Sequence, residues 1–339
     1  MFEKGQQREI TDLIENMLDG YIATQNSMRE IDTIAEKSKL LAISSARELG
    51  RMEMAGGFQI ITQEIKVFAN ENLKANEKNK ENVEALNEEI SNMVGVRTAD
   101  VASELIDKID RNLFERYCDI QAWAVLAVVQ AFAKNKTPEL ERKATEVIQN
   151  LLRIYEVYNE IVIVDIEGNI IAGAANESIV GKNVSGEEWF QQAVVSEGAY
   201  VTDLHYSQFL QKYIVSYSSR ILDEEGNTVG VLATHFNWDY ILDMIDVAKI
   251  SRKGEVYLIN ETGQVIGARE RDLIFHKNML LECQGAQTIL SGDKQEDYGY
   301  ALEMNEKQQL TRVLGYAKTR GYNKYEGKAW AVLALENIR

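Results

Sequence analysis

Ile161-Val162-Ile163-Val164-Asp165, followed by the turn Glu167-Gly168-Asn169 and then Ile170-Ile171-Ala172, is the stretch that decides the fold. A β-branched apolar run of this length is the pattern of a buried strand, and the glycine turn sends the chain back beside it. The same grammar returns at Glu255-Val256-Tyr257-Leu258-Ile259-Asn260, with the turn Glu261-Thr262-Gly263 and then Gln264-Val265-Ile266-Gly267. Between the two copies, residues 213–218 alternate as a strand. Arg220-Ile221-Leu222 runs into the turn at 223–227, and residues 229–236 read as another strand. A strand–turn–strand opening used twice, at 160–173 and 256–267, predicts two similar antiparallel-sheet modules in tandem.

Toward the N-terminus the grammar is helical. The single proline is Pro138, so residues 7–134 can be nearly continuous helix. Glycine is sparse there except at Gly50, Gly56 and Gly57, the natural place for a helix to reverse. Before that point Ile10, Ile14, Met17, Tyr21, Met28, Ile31, Leu41 and Ala42 follow helical steps. After it come Phe58, Ile61, Ile65 and Phe68, then Val83, Leu86, Ile90 and Met93. These residues predict an apolar seam on each arm of an antiparallel hairpin or coiled coil. A lone hairpin buries little, so an exposed seam is expected to recruit a second copy. A further helix is expected from about Ala99 to Ala133, and Thr137 should cap another that starts at Pro138. The expected fold is therefore α+β. A helical hairpin spans 1–98, a long helix and connecting helix 99–157, and two sheet modules 158–250 and 251–339.

Composition narrows the function. With Lys+Arg at 37 and Asp+Glu at 53, the net charge is −16. Such a surface repels phosphate backbones and anionic lipid, which argues against nucleic-acid or peripheral membrane binding. No apolar stretch approaches the roughly 18 residues that span a bilayer, and the N-terminus lacks the apolar segment of a secretory signal. Taken as complete, the chain is expected in the cytoplasm. Cys118 and Cys283 stand apart, and His205, His235 and His276 form no metal-spaced pair. No nucleophile elbow, P-loop, dinucleotide fingerprint or zinc motif is present, so no cofactor, metal or catalytic group is assigned.

Residues 189–217 concentrate Trp189, Phe190, Tyr200, Tyr206, Tyr213 and Tyr217 with Asp203, His205 and Ser216. Aromatic walls with a few polar anchors suit a small-ligand site. The alternative is that these rings fill a core, Trp189 above all. Tyr200, Asp203 and His235 are the expected contacts.

Two resemblances extend this reading. Residues 34–51, including Ile34-Ala35-Glu36-Lys37 and Ser44-Ser45-Ala46-Arg47-Glu48-Leu49, resemble the signalling tip of methyl-accepting chemotaxis proteins, and the match continues through 57–69. In that family the stretch is a hairpin that docks a histidine kinase and its coupling protein. Leu40, Leu41, Glu48 and Arg51 match its contact positions. The tip departs from the family at Ser38, Lys39 and Ser44, and before the turn at Arg47, Leu49, Gly50 and Met52.

The second, longer resemblance is to double Cache sensor domains, over about 100–339. It rests on Asn112-Leu113-Phe114-Glu115-Arg116-Tyr117, Glu188-Trp189-Phe190-Gln191-Gln192-Ala193, Gly198-Ala199-Tyr200-Val201-Thr202-Asp203, Gly230-Val231-Leu232, residues 315–322 and Trp330. It implies a long helix backing two PAS-like modules, the first of which holds a small ligand. Amino-acid-binding members carry an arginine two residues before the tryptophan. Glu187 stands there, beside Glu188, while Asp203 matches the family's amine-binding acid. The resemblance therefore implies a cationic or neutral ligand in a chemoreceptor-like, dimeric, non-enzymatic signalling protein. The alternative is a ligand-binding module whose arm only dimerises.

Overall fold

A computed structural model describes residues 2–49, 56–251, 253–290, 297–305 and 310–338. Two long helices open it, α1 (Phe2–Leu49) and α2 (Gly56–Ala124). They run in opposite directions: the Asn76 side-chain amide donates to the Met28 carbonyl (2.9 Å) and to Asp32 Oδ1 (2.6 Å), and Met17 packs with Ile90 and Val94. The buried residues of α1 are Tyr21, Met28, Ala35 and Ala42, and those of α2 include Thr62, Ala69, Asn76 and Ile90. These buried positions recur mostly in seven-residue steps along each helix.

This seam shares Tyr21, Met28, Ala42 and Ile90 with the one read in the sequence and departs from it elsewhere. Ile31, Leu41, Ile61, Ile65, Phe68, Leu86 and Met93 lie outside it, exposed. Toward the tip the helices meet over Ala35, Ala42 and Ala69, whose small side chains permit close approach. The larger apolar groups form a second, outward stripe.

At 69 residues, α2 extends roughly 100 Å at 1.5 Å per residue. It crosses the expected boundary between 98 and 99 without a break, so one helix serves both the arm and the sensor. The helix expected to reach Ala133 ends at Ala124, and α3 (Ala127–Lys134) follows on a changed axis. Thr137 caps α4 (Pro138–Tyr155) by accepting from the Leu140 amide, with Pro138 at the first position.

The first module comprises β1 (Tyr158–Asp165), β2 (Ile170–Gly173), α5 (Glu188–Val195), β3 (Tyr200–Val201), β4 (His205–Ser207), β5 (Lys212–Leu222) and β6 (Thr228–Asn237). Its sheet order is β2-β1-β6-β5-β3, all antiparallel, with β4 also on β5. After α6 (Asp239–Asp246) the second module follows with β7 (Glu255–Ile259), β8 (Val265–Ala268), α7 (Met279–Glu282), α8 (Gln284–Leu290), β9 (Tyr298–Asn305), β10 (Leu310–Lys318) and β11 (Ala331–Ile338). Its order, β8-β7-β11-β10-β9, repeats the first. The duplicated strand–turn–strand opening thus marks a duplicated topology.

One core joins α2 to both modules. Ile109, Leu113 and Ile120 of α2 cluster with Ile161, Tyr217 and Leu232 of the first module and with Leu258 and Val332 of the second. Gly315 of β10 makes the approach possible: a Cβ there would lie 2.1 Å from the Thr98 carbonyl carbon of α2.

Candidate functional site

Strand alternation sorts the first module's side chains onto two faces. On β5 and β6, Val215, Tyr217, Leu232 and Phe236 face α2 and its core. Ser216, Ser218, Ala233 and His235 face the other way, toward α5. Helix α5 lies over this second face, where Trp189 and Phe190 pack with Val162, Val164 and Val231. Ser218 Oγ donates to the Trp189 carbonyl (2.7 Å), tying the first turn of α5 to the sheet.

His235 sits at the centre and is fully buried. The Trp189 ring meets it edge-on at 5.4 Å between centroids, and Phe209 does so from the other side at 5.2 Å. Its Nδ1 is 3.0 Å from Ser216 Oγ. Burial, with a smaller contribution from nearby His205, pushes the imidazole down to about 3, so it is neutral at physiological pH. Two polar atoms of this cluster, His235 Nε2 and Trp189 Nε1, are buried with no hydrogen-bond partner among the described residues. An unpaired buried polar atom costs about 1–3 kcal/mol, and two on rings whose centroids are 5.4 Å apart mark a place for a missing partner.

Tyr200 and Asp203 form the rim of this cluster. The Tyr200 hydroxyl donates to Glu188 Oε1; burial first, then this carboxylate, hold the phenol well above its ordinary value. Asp203 Oδ1 accepts from its neighbouring Leu204 amide (2.8 Å) and from Trp330 Nε1 of the second module (2.9 Å).

The other expected residues lie elsewhere. Tyr217 belongs to the α2 face, separated from His235 by the thickness of the sheet. Tyr206 and Tyr213 are exposed, paired with each other at 5.3 Å, and Tyr213 stacks on Phe275 of the second module at 5.2 Å. The structure therefore brings together Trp189, Phe190, Ser216 and His235, places Tyr200 and Asp203 at their edge, and leaves Tyr206, Tyr213 and Tyr217 apart. Phe209 and Ser218 were not anticipated. The serines at 216 and 218 bracketing a tyrosine in an apolar strand were the available signal, since buried hydroxyls on one face need partners there.

A groove of about 700 Å³ lies away from this cluster, along α2 beside Met93, Val96, Asp100 and Lys249. No candidate residue lines it. Among the described residues no group of acidic, histidine or cysteine side chains could hold a metal, and no helix is long and apolar enough to cross a membrane. At the arm's end Leu40, Leu41 and Glu48 are exposed. Arg51 and the expected reversal between Leu49 and Gly56 fall outside the described residues.

The family model dCache_1, a Cache domain, matches residues 59–334. The chain belongs to the Cache domain family. The match begins at residue 59, well inside the stretch assigned to the hairpin and about 40 residues before the resemblance read in the sequence. The ligand-binding domain of the Pseudomonas fluorescens chemoreceptor CtaA, in complex with L-serine, is similar at a TM-score of 0.53 and 14% identity, covering 74% of this chain and 98% of its own. The sensory domain of the Campylobacter jejuni chemoreceptor Tlp3 (CcmL) with isoleucine bound gives 0.55 and 13%, covering 71% and 91%. The extracellular domain of a protein described as a histidine kinase, rpHK1S-Z16, gives 0.52 and 14%, covering 71% and 93%. At these identities the likeness is one of fold. No curated protein matches the chain by sequence.

Proposed function

We propose that this Cache protein senses a small molecule at the Trp189–His235 cluster of its first module and relays occupancy along α2 into the α1–α2 arm. The observation that carries the proposal is the adjacent pair of unpartnered, buried polar atoms, Trp189 Nε1 and His235 Nε2, beneath α5. Relatives bound to L-serine and isoleucine support a small ligand of that size class. Glu187 and Glu188 flank the cluster and disfavour a free carboxylate, which leaves neutral or cationic molecules. No turnover is proposed: Ser216 Oγ and His235 Nδ1 stand 3.0 Å apart, but burial pushes the imidazole down to about 3, which makes it a poor base.

A thermal-shift panel of neutral, cationic and carboxylate compounds tests this. At least one neutral or cationic compound should raise the melting temperature of the wild type and fail to do so in Trp189→Phe. Stabilisation by carboxylates alone would sink the ligand class, and stabilisation undiminished in Trp189→Phe would sink the site.

The arm is proposed to associate with a second copy through its outward apolar stripe, which includes Ile34, Leu41, Ile61 and Phe68. Coupling to a chemotaxis kinase through Leu40, Leu41, Glu48 and Arg51 is the finer reading. The alternative is an arm that only dimerises, and co-purification with the coupling protein separates the two. A cytoplasmic location belongs to the same proposal; recovery in a periplasmic or membrane fraction would refute it.

A further inference from the structure

The segment between β10 and β11, residues 319–330, leaves the second module and crosses to the first. Its start is fastened to α2. Asp110, buried at 4% exposure, accepts from the Thr319 hydroxyl and from the amides of Arg320 (3.0 Å) and Gly321 (3.1 Å). Gly321 is required there: it has a φ of +69°, and a Cβ would lie 2.2 Å from the Tyr325 carbonyl oxygen. The middle of the segment lies along α2, with Tyr322 against Phe114 at 5.1 Å and Tyr325 against Tyr117 at 5.6 Å. Its end grips the rim of the first-module cluster. Trp330 Nε1 donates to Asp203 (2.9 Å), and Lys328 Nζ sits 5.7 Å above the Tyr200 ring. Tyr200 in turn binds Glu188, the residue before Trp189.

We propose that residues 319–330 are a coupling strap: they join the wall of the first module's site to α2, so that motion at Tyr200 and Asp203 is felt at Asp110. Asp203 acts here as a positioning residue, held by the second module through Trp330. The coupling holds with the site empty. Only its value as a relay rests on the first module being the sensing site.

Hydrogen–deuterium exchange of the unliganded full chain tests the strap without any ligand. Trp330→Phe keeps the ring that packs on Trp238 (5.5 Å) and removes the N–H. Loss of one hydrogen bond should speed exchange of amides 188–205 about fivefold. Asp203→Asn keeps an acceptor oxygen and should exchange like the wild type, while Asp203→Leu should match Trp330→Phe. The decisive variant is remote: Asp110→Ala frees the strap at α2 and should also speed exchange at 188–205, which it does not touch. If Asp110→Ala fails to fold, Thr319→Val removes one of the same fastenings and carries the test. Acceleration confined to 319–330 in these variants would overturn the coupling, whatever the ligand panel shows.

Discussion

Protonating His235 inside the closed cluster should oppose folding in a way that one substitution removes. Burial holds the folded imidazole down to about 3, against an ordinary 6.5. Below the ordinary value the unfolded chain binds a proton that the folded chain refuses. Stability contributed by neutral His235 is therefore fully present above about pH 6.5 and is lost as pH falls toward 3. Each pH unit inside that window is worth about 1.4 kcal/mol, so the wild type should lose about 2 kcal/mol between pH 7 and pH 5 from this residue alone. Ser216, Trp189 and Phe209 contact the imidazole, and Glu160 stands opposite His235 on β1. His235→Gln preserves a polar side chain and abolishes the proton site. Urea unfolding at pH 7, 6 and 5, with linear extrapolation, should show a pH slope about 2 kcal/mol smaller in the variant over that interval. Other histidines and carboxylates are common to both proteins and cancel in the difference. Parallel pH profiles would mean that His235 is solvated, and the reading of a closed neutral imidazole would be wrong.

Four further outcomes follow from the same coordinates. Gly315→Ala would drive a methyl group into the α2 backbone at Thr98, where neither partner can yield cheaply. It should cost roughly 1–3 kcal/mol or more in urea unfolding; an unchanged midpoint would show that α2 does not pack there. Thr137→Ala, which removes the α4 cap, should cost about 1 kcal/mol, read as a lower unfolding midpoint at unchanged m-value. Asp165 lies below its ordinary value of 3.8, because hydrogen bonds from Lys136 and Asn169 and the charge of Lys136 outweigh the opposing effect of burial. Its contribution is present above about pH 4 and lost on acidification, so Asp165→Asn should destabilise at pH 7, with an effect that shrinks as pH falls below 4 in thermal melts. Phe68→Lys with Leu41→Lys should shift the particle toward monomer in sedimentation, while circular dichroism stays that of the wild type.

The two sheet modules were legible because buried strands announce themselves twice over, in β-branched runs and in the glycine turns at Gly168 and Gly263 that close them. The long helices were legible from the absence of proline. The inner seam was legible only in part: Tyr21, Met28, Ala42 and Ile90 are read in it, whereas Ala35 and Ala69 carry little hydrophobic signal, and Leu41 and Phe68 turn outward. The site was half legible for a related reason. Composition identifies a cluster of aromatics but not which side of a strand each occupies; Tyr217 and Ser216 are neighbours in sequence and lie on opposite faces. Asp203 reads from the sequence as a ligand anchor; that its Oδ1 also accepts from Trp330 of the second module, 127 residues away, could not be read there. Contacts between modules leave no local pattern to read.

A relay needs an element with two arrangements that ligand can bias, and the seam composition bears on where that element lies. Within the sensor, α2 is held by a continuous core of Ile109, Leu113 and Ile120 and by the steric fit at Gly315. Sliding there would expose large apolar groups and is strongly opposed. In the arm, α1 and α2 meet over alanines with Thr62 and Asn76 among them. Toward the tip the buried apolar groups are Ala35, Ala42 and Ala69, so a shift there uncovers little apolar area, at about 25 cal/mol per Å², while Tyr21, Met28 and Ile90 hold the other end. The chief directional restraint within this seam is the bond pair from Asn76 to Met28 and Asp32. Motion delivered to α2 by the sensor should therefore appear as displacement of α1 against α2. Spin labels at Thr33 and Lys80 would report it: Asn76→Ala should broaden their distance distribution without altering the sensor's unfolding midpoint. An unchanged distribution would place the movable joint elsewhere than this seam.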